Sequence, residues 1–310
     1  MKLLARAKIN LYLDILGKRD DGFHELETVF QSVSLSDELF FEKTEQGIAL
    51  ELDQPDISAG PDNLVYRAWR IMKDAFPDKI RGVKVRLIKR IPHGAGLGGG
   101  SADAAAALTA LNRMYNLGLS PERLGKIGSA LGMDVPFCVH GGTMLAKGRG
   151  EYLERLQRKT GFQVIIVHPG FSISTKEAYS SLGMKGMEGR HRRADPQKIF
   201  SSEKFADMRP GIYNYFEEVL LDKYPILRDI KIEVLKGGCE ASIVTGSGSA
   251  VCGFASPDKK LDKLASELKQ RYPFVVNAAP TESGAVFADT AEYSAKDYIN
   301  PPKGGKAGRW

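Results

Sequence analysis

Ile91-Pro92-His93-Gly94-Ala95-Gly96-Leu97-Gly98-Gly99-Gly100-Ser101-Ala102-Asp103-Ala104-Ala105-Ala106-Ala107 decides how this chain is read. Five glycines crowd a short loop, and an alanine-rich run follows with no helix breaker before Gly118. Glycine lets the backbone turn through positive φ and lets a ligand come close to the main chain. A helix N-terminus adds free N–H groups and the positive end of the dipole. Together they make a cradle for an anion, most often a phosphate. A bare turn capping a helix would need one glycine at most. Ser101 is read as the N-cap, with Asp103 in the first turn favouring the dipole. Ala104, Ala107, Leu108, Leu111 and Met114 repeat at helical spacing, so one face is buried. Upstream, Val83-Lys84-Val85-Arg86-Leu87-Ile88 alternates as a strand does.

Two familiar phosphate loops are set aside. A Walker A loop needs Gly-Lys-Ser/Thr after four variable residues, and no Lys follows these glycines. Gly94, Gly96 and Gly99 satisfy G-x-G-x-x-G, but a dinucleotide fold wants an acid about 20 positions later, at the end of a second strand. The chain reads Met114-Tyr115-Asn116-Leu117-Gly118-Leu119-Ser120 there. A Rossmann oxidoreductase remains the reading that tight NAD binding would support.

Length and composition bound the rest. At 310 residues there is room for two domains. The 43% apolar and 26% charged residues are ordinary for a globular protein. A net charge of +6 is too mild and dispersed for nucleic acid but suits an enzyme with polyphosphate ligands. The basic cluster Arg190-His191-Arg192-Arg193 reads as a solvated loop. Three cysteines without paired spacing fit the reducing cytoplasm, and no CxxC or HExxH suggests zinc. Arg6, Lys8 and Asp14 interrupt any signal-peptide core, and no apolar run could span a membrane.

Along the chain, strands are expected over 9–16, 23–35, 39–42, 48–52, 143–146, 164–167, 230–234, 241–244, 251–255 and 274–276. Asp62 is read as the cap of a helix from Asn63 to about Ala75. Ser120-Pro121 starts another that Gly132 ends, and Leu261 to Tyr272 is amphipathic. Thr245-Gly246-Ser247-Gly248-Ser249 is a second glycine loop. The tail from 291 to 310, with Pro301, Pro302, Gly304, Gly305 and Gly308, is expected to be flexible.

Ala7-Lys8-Ile9-Asn10, the loop at 94–101 and Thr245 to Ser249, in this order, resemble the GHMP small-molecule kinases. Asp21-Gly22-Phe23-His24, Asp62-Asn63-Leu64, Asp134-Val135-Pro136-Phe137 and Gly148-Arg149-Gly150-Glu151 sharpen the match. They point to the branch that phosphorylates the 2-hydroxyl of a cytidine diphosphate-linked methylerythritol in the non-mevalonate route to isoprenoid precursors. The resemblance covers about residues 1 to 280. It implies an α+β, two-domain GHMP kinase fold. An N-terminal, ATP-binding domain (1–155), like the second domain of ribosomal protein S5, would contain a left-handed β-α-β crossover, against the usual hand. A ferredoxin-like substrate domain (156–290) would follow, with the active site in the cleft between the two.

The residue roles follow from the same resemblance. Asp134 would be the base and Lys8 its partner, polarising the substrate oxygen. By itself Asp134 could be a turn or cap aspartate, and Lys8 an edge-strand lysine. Pro92, Gly94, Ala95, Gly96, Leu97, Gly98, Gly99, Gly100, Ser101 and Asn63 would bind ATP, with Ser101 also meeting Mg²⁺ through the phosphates. Asn10, Phe23, His24, Thr175, Gly246 and Ser247 would hold the acceptor, the base stacking on Phe23 where the family usually has Tyr. A core position for Phe23 is the plain alternative. Asn214-Tyr215-Phe216-Glu217 departs from the family in having Tyr215 where an acid is usual. The cofactors implied are ATP and Mg²⁺, and the partner a small molecule rather than nucleic acid or membrane. Monomer and dimer both stay open. The competing readings are another GHMP kinase with a mevalonate- or sugar-type acceptor, or a nucleotide-binding protein that has lost catalysis.

Overall fold

Apolar residues run almost unbroken along the first strand, and the reason is burial on both faces. A computed structural model describes residues 1–157, 161–182, 195–202 and 204–288. The strands are β1 (Lys2–Lys18), β2 (His24–Thr44), β3 (Ile48–Leu52), β4 (Gly82–Ile88), β5 (Thr143–Gly148), β6 (Tyr152–Arg155), β7 (Gln163–His168), β8 (Tyr213–Asn214), β9 (Ala241–Val244), β10 (Val251–Ala255), β11 (Phe274–Ala278) and β12 (Ala285–Phe287). The helices are α1 (Leu64–Ala75), α2 (Gly99–Met114), α3 (Pro121–Gly128), α4 (Val135–His140), α5 (Thr175–Ser181), α6 (Pro196–Phe200), α7 (Phe205–Met208), α8 (Glu217–Lys223), α9 (Pro225–Lys236) and α10 (Asp262–Leu268). The basic cluster at 190–193 and the tail at 291–310 lie outside the described residues.

One sheet has the order β12-β1-β2-β4-β3, with β5 and β6 continuing from the lower half of β2. The second has the order β11-β7-β10-β9, all antiparallel. Numbered along its own segment, that sheet reads 4-1-3-2, the ferredoxin-like arrangement. Strands β8 and β12, from the second half of the chain, return to pair with β1. Strand β1 therefore supplies apolar residues to all three buried clusters: Leu3 and Ala5, then Ile9 and Leu11, then Leu13 and Ile15. Its polar side chains are consequently buried too and need partners.

Several expectations give way to tertiary context. Residues 24–35 and 39–42 belong to one strand, β2, because β1 pairs with it from His24 to Phe40 while its outer partner changes from β5 to β4; Phe23 precedes the strand. Residues 230–234 are helix, not strand: Leu227, Ile230 and Val234 of α9 are the buried face, spaced three and four apart. Asn63, not Asp62, caps α1, its side chain accepting the Val65 N–H at 2.9 Å. Ser120 does cap α3, but that helix ends at Gly128, before Gly132. Helix α2 ends at Met114, and α10 at Leu268.

Candidate active site

Strand β1 changes register against β2 between Arg6 and Lys8 and again between Asn10 and Tyr12. Such bulges re-aim side chains next to functional sites. Lys8 and Asn10 sit between them, two residues apart and so on one face. Lys8 is 5% exposed inside the sheet, which removes the edge-lysine alternative. Its ammonium donates to Asn10 Oδ1 at 2.8 Å and stands 3.6 Å from Asp134 Oδ2. Asn10 is held in turn: its Nδ2 donates to Thr28 Oγ1 at 2.8 Å, and its backbone N–H to Thr245 Oγ1 at 3.0 Å.

Asp134 occupies the N-cap position of α4, yet its side chain makes no capping bond. The carboxylate turns toward Lys8 and its side chain stays 31% exposed, open to a ligand. The cap-aspartate alternative fails on that geometry.

Helix α2 begins at Gly99, with Gly98 at the N-cap in the left-handed region (φ 69°). Ser101 is therefore in the first turn and Asp103 in the second; neither takes the position expected from sequence. The preference of serine for caps lost to a glycine whose φ only it adopts readily. The first intrahelical bond runs from Ala102 N–H to Gly98 C=O, which leaves the N–H groups of Gly99, Gly100 and Ser101 without helical acceptors. A Cβ at Gly98 would come within 2.8 Å of Lys8 Cγ. One at Gly96 would overlap the Thr245 carbonyl oxygen. The two glycine loops are thus pressed together, and Ala250 N–H donates to Ala95 C=O at 3.1 Å across them.

Both loops, β1 and the Met133-Asp134 segment that leads into α4 enclose a cleft of about 830 Å³. Lys8, Asn10, Asn63, Pro92, Gly94, Ala95, Gly96, Gly98, Gly99, Gly100, Ser101 and Asp134 line it, together with Phe23, His24, Thr175, Gly246 and Ser247. Leu97 does not. Its side chain is 1% exposed in the core, and its carbonyl accepts the Lys8 N–H at 3.0 Å. A bulky apolar residue among glycines anchors the loop rather than facing a polar ligand.

At the far end of the cleft Phe23 is 53% exposed, so it is no core residue. The Arg149 guanidinium lies 4.8 Å from its ring centroid. The His24 ring stacks on Tyr179 (4.7 Å, 20°), and Tyr179 meets Phe216 edge-on at 5.0 Å. Burial first, then Lys18, lowers the His24 pKa below the usual histidine value. Burial and, less, Asp134 push the Tyr179 phenol up to about 12, so it remains a hydroxyl. Tyr179 escaped the sequence reading, although it lies four residues after Thr175 on α5 and so shares its face. Thr175 Oγ1 is 3.4 Å from Ser247 Oγ.

The segment around Tyr215 is a support. Asn214 Nδ2 donates to the carbonyls of Val244 (2.6 Å) and Gly246 (2.8 Å) and so fixes the second glycine loop. Tyr215 itself is buried, its N–H on Leu13 C=O at 2.9 Å. Among the described residues no cluster of three His, Cys, Asp or Glu could hold a metal ion by itself, and no helix is long and apolar enough to cross a membrane.

Models of the GHMP kinases N terminal domain and the GHMP kinases C terminal region match residues 63–142 and 201–273. A 4-diphosphocytidyl-2-C-methyl-D-erythritol kinase from Moorella thermoacetica is 41% identical over 283 residues, covering 88% of this chain and 96% of that protein. The chain belongs to the 4-diphosphocytidyl-2-C-methyl-D-erythritol kinase family of GHMP kinases. The same name attaches to a relative from Acetivibrio thermocellus, 39% identical over 84% of this kinase and 92% of that protein. A crystal structure of 4-(cytidine 5'-diphospho)-2C-methyl-D-erythritol kinase superposes with a TM-score of 0.76 at 31% identity, covering 90% of this kinase and 99% of that chain. Mevalonate kinase from L. major, at 14% identity and a TM-score of 0.70 over 92% of this chain and 97% of its own, shares the fold. The kinase is a phosphotransferase with mixed helix and strand content, as expected.

Proposed function

We propose that this kinase transfers the γ-phosphoryl group of ATP to the 2-hydroxyl of 4-diphosphocytidyl-2-C-methyl-D-erythritol. The observation that carries the reading is the Lys8–Asp134 pair at 3.6 Å, set between a backbone-lined anion cradle and an aromatic pocket.

Phosphoryl transfer asks for alignment and charge neutralisation more than for covalent help. The free N–H groups of Gly99, Gly100 and Ser101, with the dipole of α2 behind them, would hold the β- and γ-phosphates. Asn63 would meet the nucleoside. Phe23 offers a face for the cytosine, while neutral His24 offers one donor and one acceptor to its edge. Thr175, Ser247, Gly246 and Asn10 would lead the methylerythritol chain to Lys8. The acceptor hydroxyl oxygen attacks the γ-phosphorus, its proton passes to Asp134, and the bond to the β-bridging oxygen breaks to release ADP. Lys8 polarises the attacking oxygen. Mg²⁺ would neutralise charge on the transferred group; Ser101 suits an ion held mainly by the phosphates, as Mg²⁺ commonly is.

A coupled ADP-release assay tests the reading. Turnover is expected with the cytidine diphosphate-linked methylerythritol and not with mevalonate; the reverse would reassign the acceptor.

A further inference from the structure

Both glycine loops are tied to one short segment. Strand β7 ends at His168, the chain bends at Gly170, and α5 begins at Thr175. Sequence reading gave residues 169–174 no role. On one side, Ser172 Oγ donates to the His93 carbonyl at 2.9 Å, and the Ile173 N–H to the Gly94 carbonyl at 3.3 Å. The two stretches run so close that a Cβ at Gly94 would stand 2.6 Å from Ser172 Oγ. On the other side, Ser249 Oγ donates to the Phe171 carbonyl. Ser249 is 0% exposed, and a buried hydroxyl is held by the bond it makes. The segment thus grips Gly94, where the first loop begins, and Ser249, where the second ends.

The same segment leads into the acceptor wall. Ser174 caps α5 by accepting the Glu177 N–H at 3.1 Å, and the next residue is Thr175, 3.4 Å from Ser247. A displacement of 169–174 therefore moves Thr175 and Ser247 relative to Gly94 and the cradle behind it. Phosphoryl transfer is sensitive to such a shift. The attacking oxygen and the γ-phosphorus must meet in line, and a misplacement of about 1 Å can cost about a hundredfold. Neither Ser172 nor Ser249 lines the cleft, and each hydroxyl proton goes to a backbone carbonyl. The two serines act on the loops, not on a ligand.

We propose that residues 169–174 form a strap that sets the nucleotide loop against the acceptor wall, and that Ser172 and Ser249 are its positioning residues, one for each loop. The strap is independent of what the loops bind; its consequence for catalysis rests on the ATP and acceptor reading above.

Ser172→Ala and Ser249→Ala each release one fastening. Ser172→Ala is expected to raise ATP KM about fivefold and leave acceptor KM within about twofold, and Ser249→Ala to do the reverse. Both should lower kcat about tenfold. Ser172→Thr keeps the hydroxyl and should bring ATP KM and kcat back to within about twofold of wild type. In the ligand-free kinase, amide hydrogen exchange should quicken over residues 93–100 in Ser172→Ala and over 245–250 in Ser249→Ala. A merely structural role would lower Tm and leave kcat and both KM values unmoved, which overturns the proposal. So does unchanged exchange at the loops, or a Ser172→Thr variant as impaired as Ser172→Ala. Ser172 is exposed, so its two variants decide the matter even if Ser249→Ala fails to fold. Faster exchange at the loops, with no ADP bound by the wild type in calorimetry, would uphold the strap and remove the nucleotide reading instead.

Discussion

The two ends of the cleft are made of different material. At one end, Gly94 to Ser101 and Thr245 to Ser249 meet through backbone, with no room for a Cβ at Gly96 and little at Gly98. At the other, Phe23, His24, Arg149 and Tyr179 meet through side chains, and Phe23 is more than half exposed. A polyphosphate is recognised by N–H groups that any sequence could supply, provided the chain can be bent to present them. A base is recognised by a flat face and an edge, which only particular side chains supply. Substitutions at the first end should therefore disturb geometry and stability together. Those at the second should remove a contact and leave the fold alone.

The sharpest test lies at the junction. Asp134→Asn is expected to lower kcat by more than about 100-fold while ATP KM moves only a few-fold. Single-turnover kinetics would measure it, and near wild-type turnover would remove Asp134 as the base. Next, Gly98→Val should raise ATP KM by roughly ten- to a hundredfold and lower Tm, since a branched side chain resists φ near 69° and meets Lys8. A change confined to the acceptor KM would reverse the assignment of the two ends.

Phe23→Ala should weaken acceptor binding by about 1–3 kcal/mol, the usual loss of a base–aromatic stack, with ATP affinity and Tm unaltered. Phe23→Tyr should be close to neutral. Equal weakening of both ligands would show that this end, too, acts through the fold.

The smallest effect concerns His24. Its lowered pKa means that the neutral ring predominates at pH 7 and persists to a pH below the usual 6.5. Protonation there removes the ring's acceptor. Acceptor KM should thus rise a few-fold as pH falls through a value below 6.5, and His24→Asn should flatten that profile. ATP KM should show no His24-dependent step.

Much of the cradle was legible in sequence because it is local. Strand, glycine run and alanine helix follow within 35 residues, and glycine spacing and helical period are properties of contiguous chain. The residues of α9 were misread because Ile230 to Val234, taken alone, fits either period, and only its packing on the second sheet selects the helix. Ser101 was misplaced because capping propensity is weaker than the backbone demand at Gly98. The contacts of Lys89 with Asp37 and Asp103 were not legible: they join residues 52 and 14 positions apart, and nothing local in a lysine or aspartate says that it will be buried.

By itself the sequence determined the family, the strand–loop–helix order and the residue types that line the candidate site, since these reside in short motifs whose chemistry depends on residue identity. Only the tertiary structure decided that Lys8 faces Asp134 across a sequence separation of 126, that Phe23 is exposed rather than buried, and that Leu97 is an anchor. Those are matters of burial and long-range approach, fixed when β1 threads three apolar clusters and draws both halves of the chain against it.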